Sequence, residues 1–265
     1  MLWIVQEDVY AKNQHYNLFE ALERLSIPFV KVKVNNHKIE LDIPTDNTQA
    51  IITNGSIMLS NIGKAKGWIP GSLFNDNFSY KVWEKEYGDL LINKKSVVSS
   101  LRNAQITNNT VFARPVLDNK TFNGRVFTKE EFLIFQKNSI DLKSGFAHPD
   151  TEILISEPKK IGQEHRHYIV DGEIITSSRY KFAGQPNFKE GCDDSVLEVV
   201  QKAINKWQPA RAFVLDTYIS EDSIGIVEIG CICHAGMYHA DLMKLVVALD
   251  SMPLDLKNNK KHKPF

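Results

Sequence analysis

The stretch that decides the fold is "ARAFVLDTYISEDSIGIVEIG", residues 210–230, in which two apolar runs flank the polar segment "SEDS". This pattern predicts an antiparallel hairpin that turns around Asp222. Asp216 and Glu228 lie six residues on either side of that turn. We therefore expect them to face each other on one side of the sheet, with Cβ atoms about 5 Å apart. A register slipped by one residue would instead turn both side chains to water.

Two carboxylates that face each other between apolar neighbours repel, so the arrangement favours either a protonated carboxyl or a bridging cation. An all-oxygen site of this kind suits Mg²⁺ that is shared with the phosphates of a substrate.

The segment after Glu228 offers a different metal site, because Cys231, Cys233, His234 and His239 are potential zinc ligands. Structural zinc sites usually carry Cys pairs separated by roughly two to four residues, with a second pair a dozen or more residues away. The spacing here fits that pattern poorly. The other interpretation is that the cysteines are buried and pack as small hydrophobic side chains.

The composition is that of an ordinary soluble globular protein, with 265 residues, 43% hydrophobic and 24% charged. Lys+Arg and Asp+Glu each total 32 residues, so net charge favours neither nucleic acid nor a membrane surface as a partner. No apolar run reaches the roughly 18–20 residues that span a bilayer. Three cysteines argue against a disulfide framework. We expect a cytoplasmic protein.

The first part of the chain predicts a small α/β module over residues 1–100. Its apolar runs "LWIVQ", "IPFVKVKV" and "QAIITNGSIML" predict strands, and "NLFEALERL" between the first two predicts a helix. A strand–helix–strand order implies parallel pairing. The aromatic segment from "GWIPGSLFNDNFSY" to "YGDLLIN" is interpreted as an irregular connection.

Residues 101–265 are richer in strands and predict an α+β domain. "VDGEI" joins two β-runs through Asp-Gly, which is a strong hairpin signal. "SVLEVVQKAINKW" and "HADLMKLVVALD" predict amphipathic helices. In "EHRHY", strand alternation places Glu164 and Arg166 on one face and His165 and His167 on the other.

The acidic hairpin followed by "HAGMY" resembles the end of an ATP-grasp domain, including those of phage-encoded proteins. The resemblance implies an α+β ATP-grasp fold, two lobes that clasp a nucleotide, after a small α/β pre-ATP-grasp domain. It implies ATP and Mg²⁺ as cofactors, with Mg²⁺ held by Asp216 and Glu228. The family's Glu-x-Asn motif is Glu228-Ile229-Gly230 here, so one ligand oxygen is missing.

"VFARPVLDNKTFNGRVF" resembles the basic strand of this family and the flexible loop that covers the phosphates. The resemblance places Arg114 on the strand, and Lys120 and Gly124 on the loop. Arginine meets phosphate oxygens with a planar fork, and glycine lets backbone N–H groups approach an anion, so these residue types suit the task. The chain contains neither a P-loop nor a dinucleotide-binding fingerprint.

"ILISEPKKIGQEHRHYIVDGEIITSSRY" resembles the hinge between the two lobes. The spacing of its two glutamates is similar to that in D-alanine–D-alanine ligases. The resemblance implies that Glu157 lies near the adenine with backbone groups of Ile155 and Ser156, and that Glu164 reaches the ribose hydroxyls. Arg166 and Arg179 are the basic residues that it implies for the reaction.

The implied activity is an ATP- and Mg²⁺-dependent ligation, in which a carboxylate becomes an acyl phosphate and an amine or other nucleophile displaces phosphate. The alternatives are a phosphotransferase and a nucleotide-binding protein without catalysis, the latter suggested by Gly230. The carboxylate could belong to a small molecule, a peptide or a protein tail. The sequence leaves that identity and the oligomeric state open.

Overall fold

The structure is a computed structural model that describes residues 1–7, 9, 12–35, 38–39, 49–117 and 121–254, with the backbone alone for 12–17. In chain order, the strands are β1 Leu2–Gln6, β2 Phe29–Val32, β3 Val34–Asn35, β4 Lys38–Ile39, β5 Ile51–Asn54, β6 Pro70–Gly71, β7 Val97–Ser100, β8 Thr110–Pro115, β9 Arg125–Thr128, β10 Glu152–Ser156, β11 Gln163–Val170, β12 Glu173–Phe182, β13 Gln185–Glu190, β14 Ala212–Ile219 and β15 Ile224–Cys231. The α-helices are α1 Lys12–Arg24, α2 Ile57–Lys66, α3 Tyr80–Tyr87, α4 Lys129–Ile140, α5 Asp194–Lys206 and α6 Leu242–Asp250. Short 3₁₀ turns occur at Asp76–Phe78, Gly88–Leu90, Leu101–Asn103 and Ile232–His234.

The N-terminal strands form a parallel four-stranded sheet in the order β2-β1-β5-β6. The predicted strand–helix–strand start is thus confirmed. The two central strands are almost wholly buried, which suits a parallel sheet covered on both faces. Helix α2 begins at the side chain of Ser56, which caps Leu59 N–H, and ends at Gly67 with a left-handed φ of 70°.

The second sheet is antiparallel, in the order β7-β10-β8-β9, and α4 packs against it. Thr128 and Glu131 form a capping box that starts α4. Phe127, Phe132 and Phe135 fill the core between the helix and the sheet. Strand β7 already belongs to this sheet, and the division of the chain near residue 100 stays a prediction.

The third sheet is the largest, five antiparallel strands in the order β13-β12-β11-β14-β15. Asp171 and Gly172 form the two-residue loop of the β11–β12 hairpin, with φ of 48° and 85°. Positive φ at both loop positions matches the twist of paired strands, which explains the Asp-Gly signal. The predicted helices are confirmed as α5, which packs on β14 and β15, and α6, which packs on β11 and β12.

The aromatic segment before the second sheet is not simply an irregular connection, as the sequence had suggested. It contains β6 and α3, and Tyr80, Trp83 and Tyr87 of α3 are buried in the main core. Three aromatic residues spaced three and four apart lie on one helical face, so packing stabilises a helix that is too short to form alone. No helix in the described ranges is both long and apolar enough to cross a membrane.

Candidate active site

A cleft of about 610 Å³ opens between the second and third sheets. Strands β8 and β9 form one wall, and β11, β12, β14 and β15 form the other. Residues predicted from the sequence line much of it: Arg114, Gly124, Glu157, Glu164, Arg166, Asp216 and Glu228. Aromatic and aliphatic side chains form the rest of the β8–β9 wall, including Phe112, Leu117, Phe122 and Val126. Apolar walls with a few convergent charged groups are typical of a ligand site.

Asp216 and Glu228 are direct cross-strand partners in the β14–β15 hairpin, as predicted. The turn does not, however, centre on Asp222, because Ile219 pairs with Ile224. A bulge at Val227 adds one residue to β15 and so restores the pairing of the two acids. Without that bulge, Glu228 would point to the other face of the sheet.

Asp216 is almost completely buried, with 1% of its surface exposed, and Arg166 on the neighbouring strand β11 forms a two-point ion pair with it. The guanidinium Nε donates to Oδ1 at 2.8 Å and Nη2 donates to Oδ2 at 2.7 Å. Burial raises the pKa of Asp216 above its ordinary value, and the charge of Arg166 opposes that rise. Both oxygens of this carboxylate therefore have a cationic partner already.

Glu228 forms an ion pair that crosses the cleft. Its Oε2 accepts from Nη1 of Arg114, which lies on β8 in the facing sheet, at 2.7 Å. The guanidinium carbon of Arg114 also lies 5.8 Å from the ring centre of Trp83, so the side chain is held on two sides. The Glu228 side chain is 37% exposed, so this carboxylate, unlike Asp216, is open to a ligand.

Glu164 is held at both carboxylate oxygens by its neighbours on β12. The Tyr180 hydroxyl donates to Oε2 at 2.6 Å, and Lys181 Nζ donates to Oε1 at 3.0 Å. The ring of Tyr180 stacks on that of Tyr238, with centroids 4.9 Å apart. The carboxylate is thus fixed in place at the edge of the cleft.

Gly124 lies at the start of β9, pressed against the strand that carries Arg114. A Cβ atom added there would lie 3.0 Å from the Arg114 Cβ and 3.2 Å from the Phe112 ring. Only glycine allows the loop to approach the strand this closely. Lys120, predicted on the same loop, lies outside the described residues.

The predicted hinge residues lie at and beyond the end of β10. Glu157 lines the cleft next to Lys159, whose Nζ lies 3.6 Å from its carboxylate. Ser156 Oγ donates to the Asn93 side chain at 3.0 Å, and Ile155 packs against the core of the second sheet. The side chains of Ile155 and Ser156 thus serve packing, which is compatible with the backbone role implied for them.

The donor chemistry of Asp216 and Glu228 fits Mg²⁺, since carboxylate oxygens are its preferred ligands and one or two suffice when phosphates complete the coordination. Each oxygen has two lone pairs, so the arginine contacts leave acceptor sites on both carboxylates.

A family model for an ATP-grasp domain, described as clade family 3, matches residues 61–249, more than half of the chain. The chain belongs to this family. No curated protein matches it significantly in sequence.

Solved ATP-grasp structures resemble this ATP-grasp protein in fold over nearly its whole length. D-alanine–D-alanine ligase from Bacillus anthracis has a TM-score of 0.56 at 12% identity, over 94% of this chain and 92% of the ligase. D-cycloserine synthetase DcsG has a TM-score of 0.61 at 9% identity, over 94% and 98%. The ligase PsnB, in a complex with a precursor variant, Mg and ADP, has a TM-score of 0.55 at 11% identity, over 94% and 96%. At such identities the likeness shows the fold, and the predicted fold is confirmed.

Arg179 of this ATP-grasp protein lies on the sheet face opposite the cleft. It pairs with His165 in the β11–β12 register, and its guanidinium contacts Gln163 and Asn187. His167 is buried on the same face as His165, as alternation predicted, and its ring contacts two hydroxyl groups. The basic pair implied by the resemblance is therefore split, with Arg166 in the cleft and Arg179 behind it.

The zinc interpretation gains no support from the part of the chain that the structure describes, where no three His, Cys, Asp or Glu side chains converge on a metal position. Cys231 and Cys233 are buried, and the Cys231 thiol donates to the Ser72 carbonyl at 3.0 Å. His234 contacts Ser60 in α2. These residues join the C-terminal end of β15 to the N-terminal sheet, which is a packing role.

Sequence reasoning missed Tyr180, Lys181 and Tyr238 as cleft residues. Regular alternation sends consecutive residues to opposite faces, so Tyr180 and Lys181 would not be expected together. Tyr180 is the extra residue of a bulge in β12, which turns both side chains toward the cleft. The "HAGMY" motif contained Tyr238, and its charged and aromatic neighbours could not be identified from local sequence.

Proposed function

We propose that this ATP-grasp protein is an ATP- and Mg²⁺-dependent ligase that joins a carboxylate to an amine or another nucleophile through an acyl phosphate. The observation that carries the proposal is the cleft between the two sheets, where Asp216 and Glu228 meet Arg114 and Arg166. Charged groups of both signs, fixed in place and partly buried, suit phosphoryl transfer, which depends on positioning and charge stabilisation. The likeness in fold to three ligases supports the same class by analogy.

In this proposal the nucleotide lies along the β8–β9 wall. Its adenine would lie near Glu157 with backbone groups of Ile155 and Ser156, and its ribose hydroxyls would donate to Glu164. The phosphates would draw Arg114 away from Glu228, because a triphosphate offers the guanidinium more negative charge than one carboxylate does. Lys120 and Gly124 would cover the phosphates from the loop.

Mg²⁺, when bound, neutralises charge on the phosphates, and Asp216 and Glu228 are the residues proposed to hold it. An oxygen of the substrate carboxylate attacks the γ-phosphorus, and the bond to ADP breaks. The amine then attacks the carbonyl carbon of the acyl phosphate, phosphate leaves, and the amine loses a proton. Arg114 and Arg166 stabilise the charge that develops on the transferred group. No contact with the nucleotide is proposed for Arg179, since it lies behind the sheet.

The substrate carboxylate is proposed to belong to a small molecule, a peptide or a protein tail. PsnB has been solved with a precursor peptide, which supports the inclusion of peptides in the set to be tested.

A second candidate is a nucleotide-binding protein that does not catalyse transfer. Gly230 in place of the family's asparagine favours it, as does the engagement of both Asp216 oxygens by Arg166. Saturable ATP binding with no ADP release across amino acids, peptides and small carboxylic acids would support this candidate over the ligase. Phosphorylated acceptor that does not react further with amines would indicate a phosphotransferase.

The ligase proposal is tested with Glu228→Gln, which keeps the shape of the side chain but removes its charge. We expect Mg²⁺-dependent ADP release to be abolished while the urea unfolding midpoint stays within the error of the wild-type value. Glu221→Gln is the matched control, because Glu221 lies in the turn of the same hairpin, is 79% exposed and pairs only with Lys160 among the described residues. ADP release that is unchanged in Glu228→Gln would contradict the metal assignment.

A further inference from the structure

Tyr180 lies between two carboxylates of the cleft. Its hydroxyl donates to Oε2 of Glu164 at 2.6 Å and lies 3.4 Å from Oδ2 of Asp216. The shorter distance is that of a charge-assisted hydrogen bond, and the longer one is at the limit of a hydrogen bond, so the single hydroxyl proton points to Glu164. Burial raises the pKa of Tyr180 well above its ordinary value, so the hydroxyl keeps this proton near neutral pH.

The ring of Tyr180 has little freedom to move. Its face stacks on Tyr238 with an interplanar angle of 11°, and the guanidinium carbon of Arg166 lies 5.7 Å from its ring centre. The residue is 7% exposed, and the bulge in β12 fixes the direction of its side chain. The hydroxyl is therefore a donor at a fixed position.

The second donor to Glu164 is of a different kind. Lys181 reaches Oε1 from a side chain that is 43% exposed, and its ammonium group sits on a flexible four-carbon stem. Such a contact holds charge near the carboxylate but does not set its plane. The orientation of the Glu164 carboxylate is thus set by Tyr180.

We propose that Tyr180 is a positioning residue that orients Glu164 to accept the ribose hydroxyls of ATP, and so makes the site selective for ribonucleotides. This inference rests on the proposed function, in which Glu164 is the ribose contact. Each oxygen of Glu164 accepts one bond from β12 and retains a lone pair for a ribose hydroxyl. Without the Tyr180 hydroxyl, the carboxylate rotates about its terminal torsion, which is broad in side chains of this type.

The test is Tyr180→Phe, which keeps the ring and its stacking and removes only the hydroxyl. Isothermal titration calorimetry with Mg²⁺ measures the Kd of ATP and of 2′,3′-dideoxy-ATP, which lacks both ribose hydroxyls. We expect the wild type to prefer ATP, and the variant to bind ATP about tenfold more weakly, while its Kd for the dideoxy nucleotide changes by less than about twofold. A merely structural role would weaken both nucleotides equally.

Tyr168→Phe is the matched control, because the Tyr168 hydroxyl on the adjacent strand donates to the Gly236 carbonyl at 2.7 Å and does not contact Glu164. Its preference for ATP should equal that of the wild type. On a Glu164→Gln background, Tyr180→Phe should change neither Kd, since the group that it positions has lost its charge.

The outcomes separate the two levels of the proposal. Wild-type protein that binds neither nucleotide would overturn the proposed function and this inference with it. Wild-type protein that prefers ATP, together with a Tyr180→Phe variant that keeps the full preference, would overturn the inference alone. A further loss of ATP affinity when Tyr180→Phe is added to Glu164→Gln would also overturn it.

Discussion

Replacement of Arg166 by methionine tests whether the buried ion pair organises the cleft. Methionine has a similar stem but no charge, so Asp216, which is 1% exposed, would be left buried without its two-point partner. Loss of one partner of a buried pair costs about 3–5 kcal/mol, because the remaining charge is not solvated. We expect the free energy of unfolding in urea at pH 7 to fall by that amount in Arg166→Met, with an unchanged m-value.

The matched control is Arg211→Met. Arg211 forms the same two-point geometry with Asp171, at 2.7 and 2.6 Å, but the side chains are 43% and 38% exposed. Exposed pairs contribute about 0.2–1 kcal/mol, so this variant should lose about 1 kcal/mol or less. The double variant Arg166→Met/Asp216→Leu should recover most of the loss, since it removes the buried charge. Equal losses in the two single variants would refute the reasoning.

The loss in Arg166→Met should also depend on pH. Burial raises the pKa of Asp216 above its ordinary value, and removal of the opposing arginine charge raises it further. A carboxyl whose pKa is higher in the folded than in the unfolded state contributes stability below the unfolded pKa and loses it as pH rises through the folded pKa. The deficit of the variant relative to wild type should therefore shrink in acid, and urea titrations from pH 7 to pH 4 measure it.

Three further predictions concern the cleft and the sheet face behind it. Gly124→Ala places a Cβ 3.0 Å from that of Arg114 and 3.2 Å from the Phe112 ring, so the loop must move outward and ATP affinity should fall several-fold by calorimetry, whereas Asn123→Ala should leave it nearly unchanged. Arg114→Ala should weaken ATP binding by at least tenfold, since a charge-assisted bond to phosphate is lost, and an unaltered Kd would remove Arg114 from the phosphate site. Burial lowers the pKa of His167 to about 3, so stability is present above the unfolded pKa of about 6.5 and should fall by about 1.4 kcal/mol per pH unit in acid below it; His167→Gln should flatten this slope in urea unfolding, and an unchanged slope would argue against it.

Local patterns in the sequence predicted the strands, the main helices and the Asp-Gly hairpin because these depend on alternation, helical periodicity and turn chemistry between near neighbours. They also predicted that Asp216 faces Glu228. That pairing holds for a reason the sequence did not reveal, since the bulge at Val227 corrects a turn that is offset from Asp222. A bulge has no reliable local signature, because it adds one residue without changing the apolar pattern much.

Contacts between distant elements lay beyond the sequence. Arg166 meets Asp216 across 50 residues of chain, and Arg114 meets Glu228 across the cleft between two sheets. The sequence could supply the charges but not their partners, since partner choice depends on how the sheets pack.

The amino-acid sequence by itself determined which segments are strands and helices, which faces of those segments are apolar, and which residues carry the charge. The tertiary structure alone decided that Arg166 enters the cleft while Arg179 lies behind it, and that Tyr180 reaches Glu164. The physical reason is the range of the interactions. Periodicity acts over a few residues, whereas a bulge, an ion pair or a stacked ring is set by the neighbours that packing brings together.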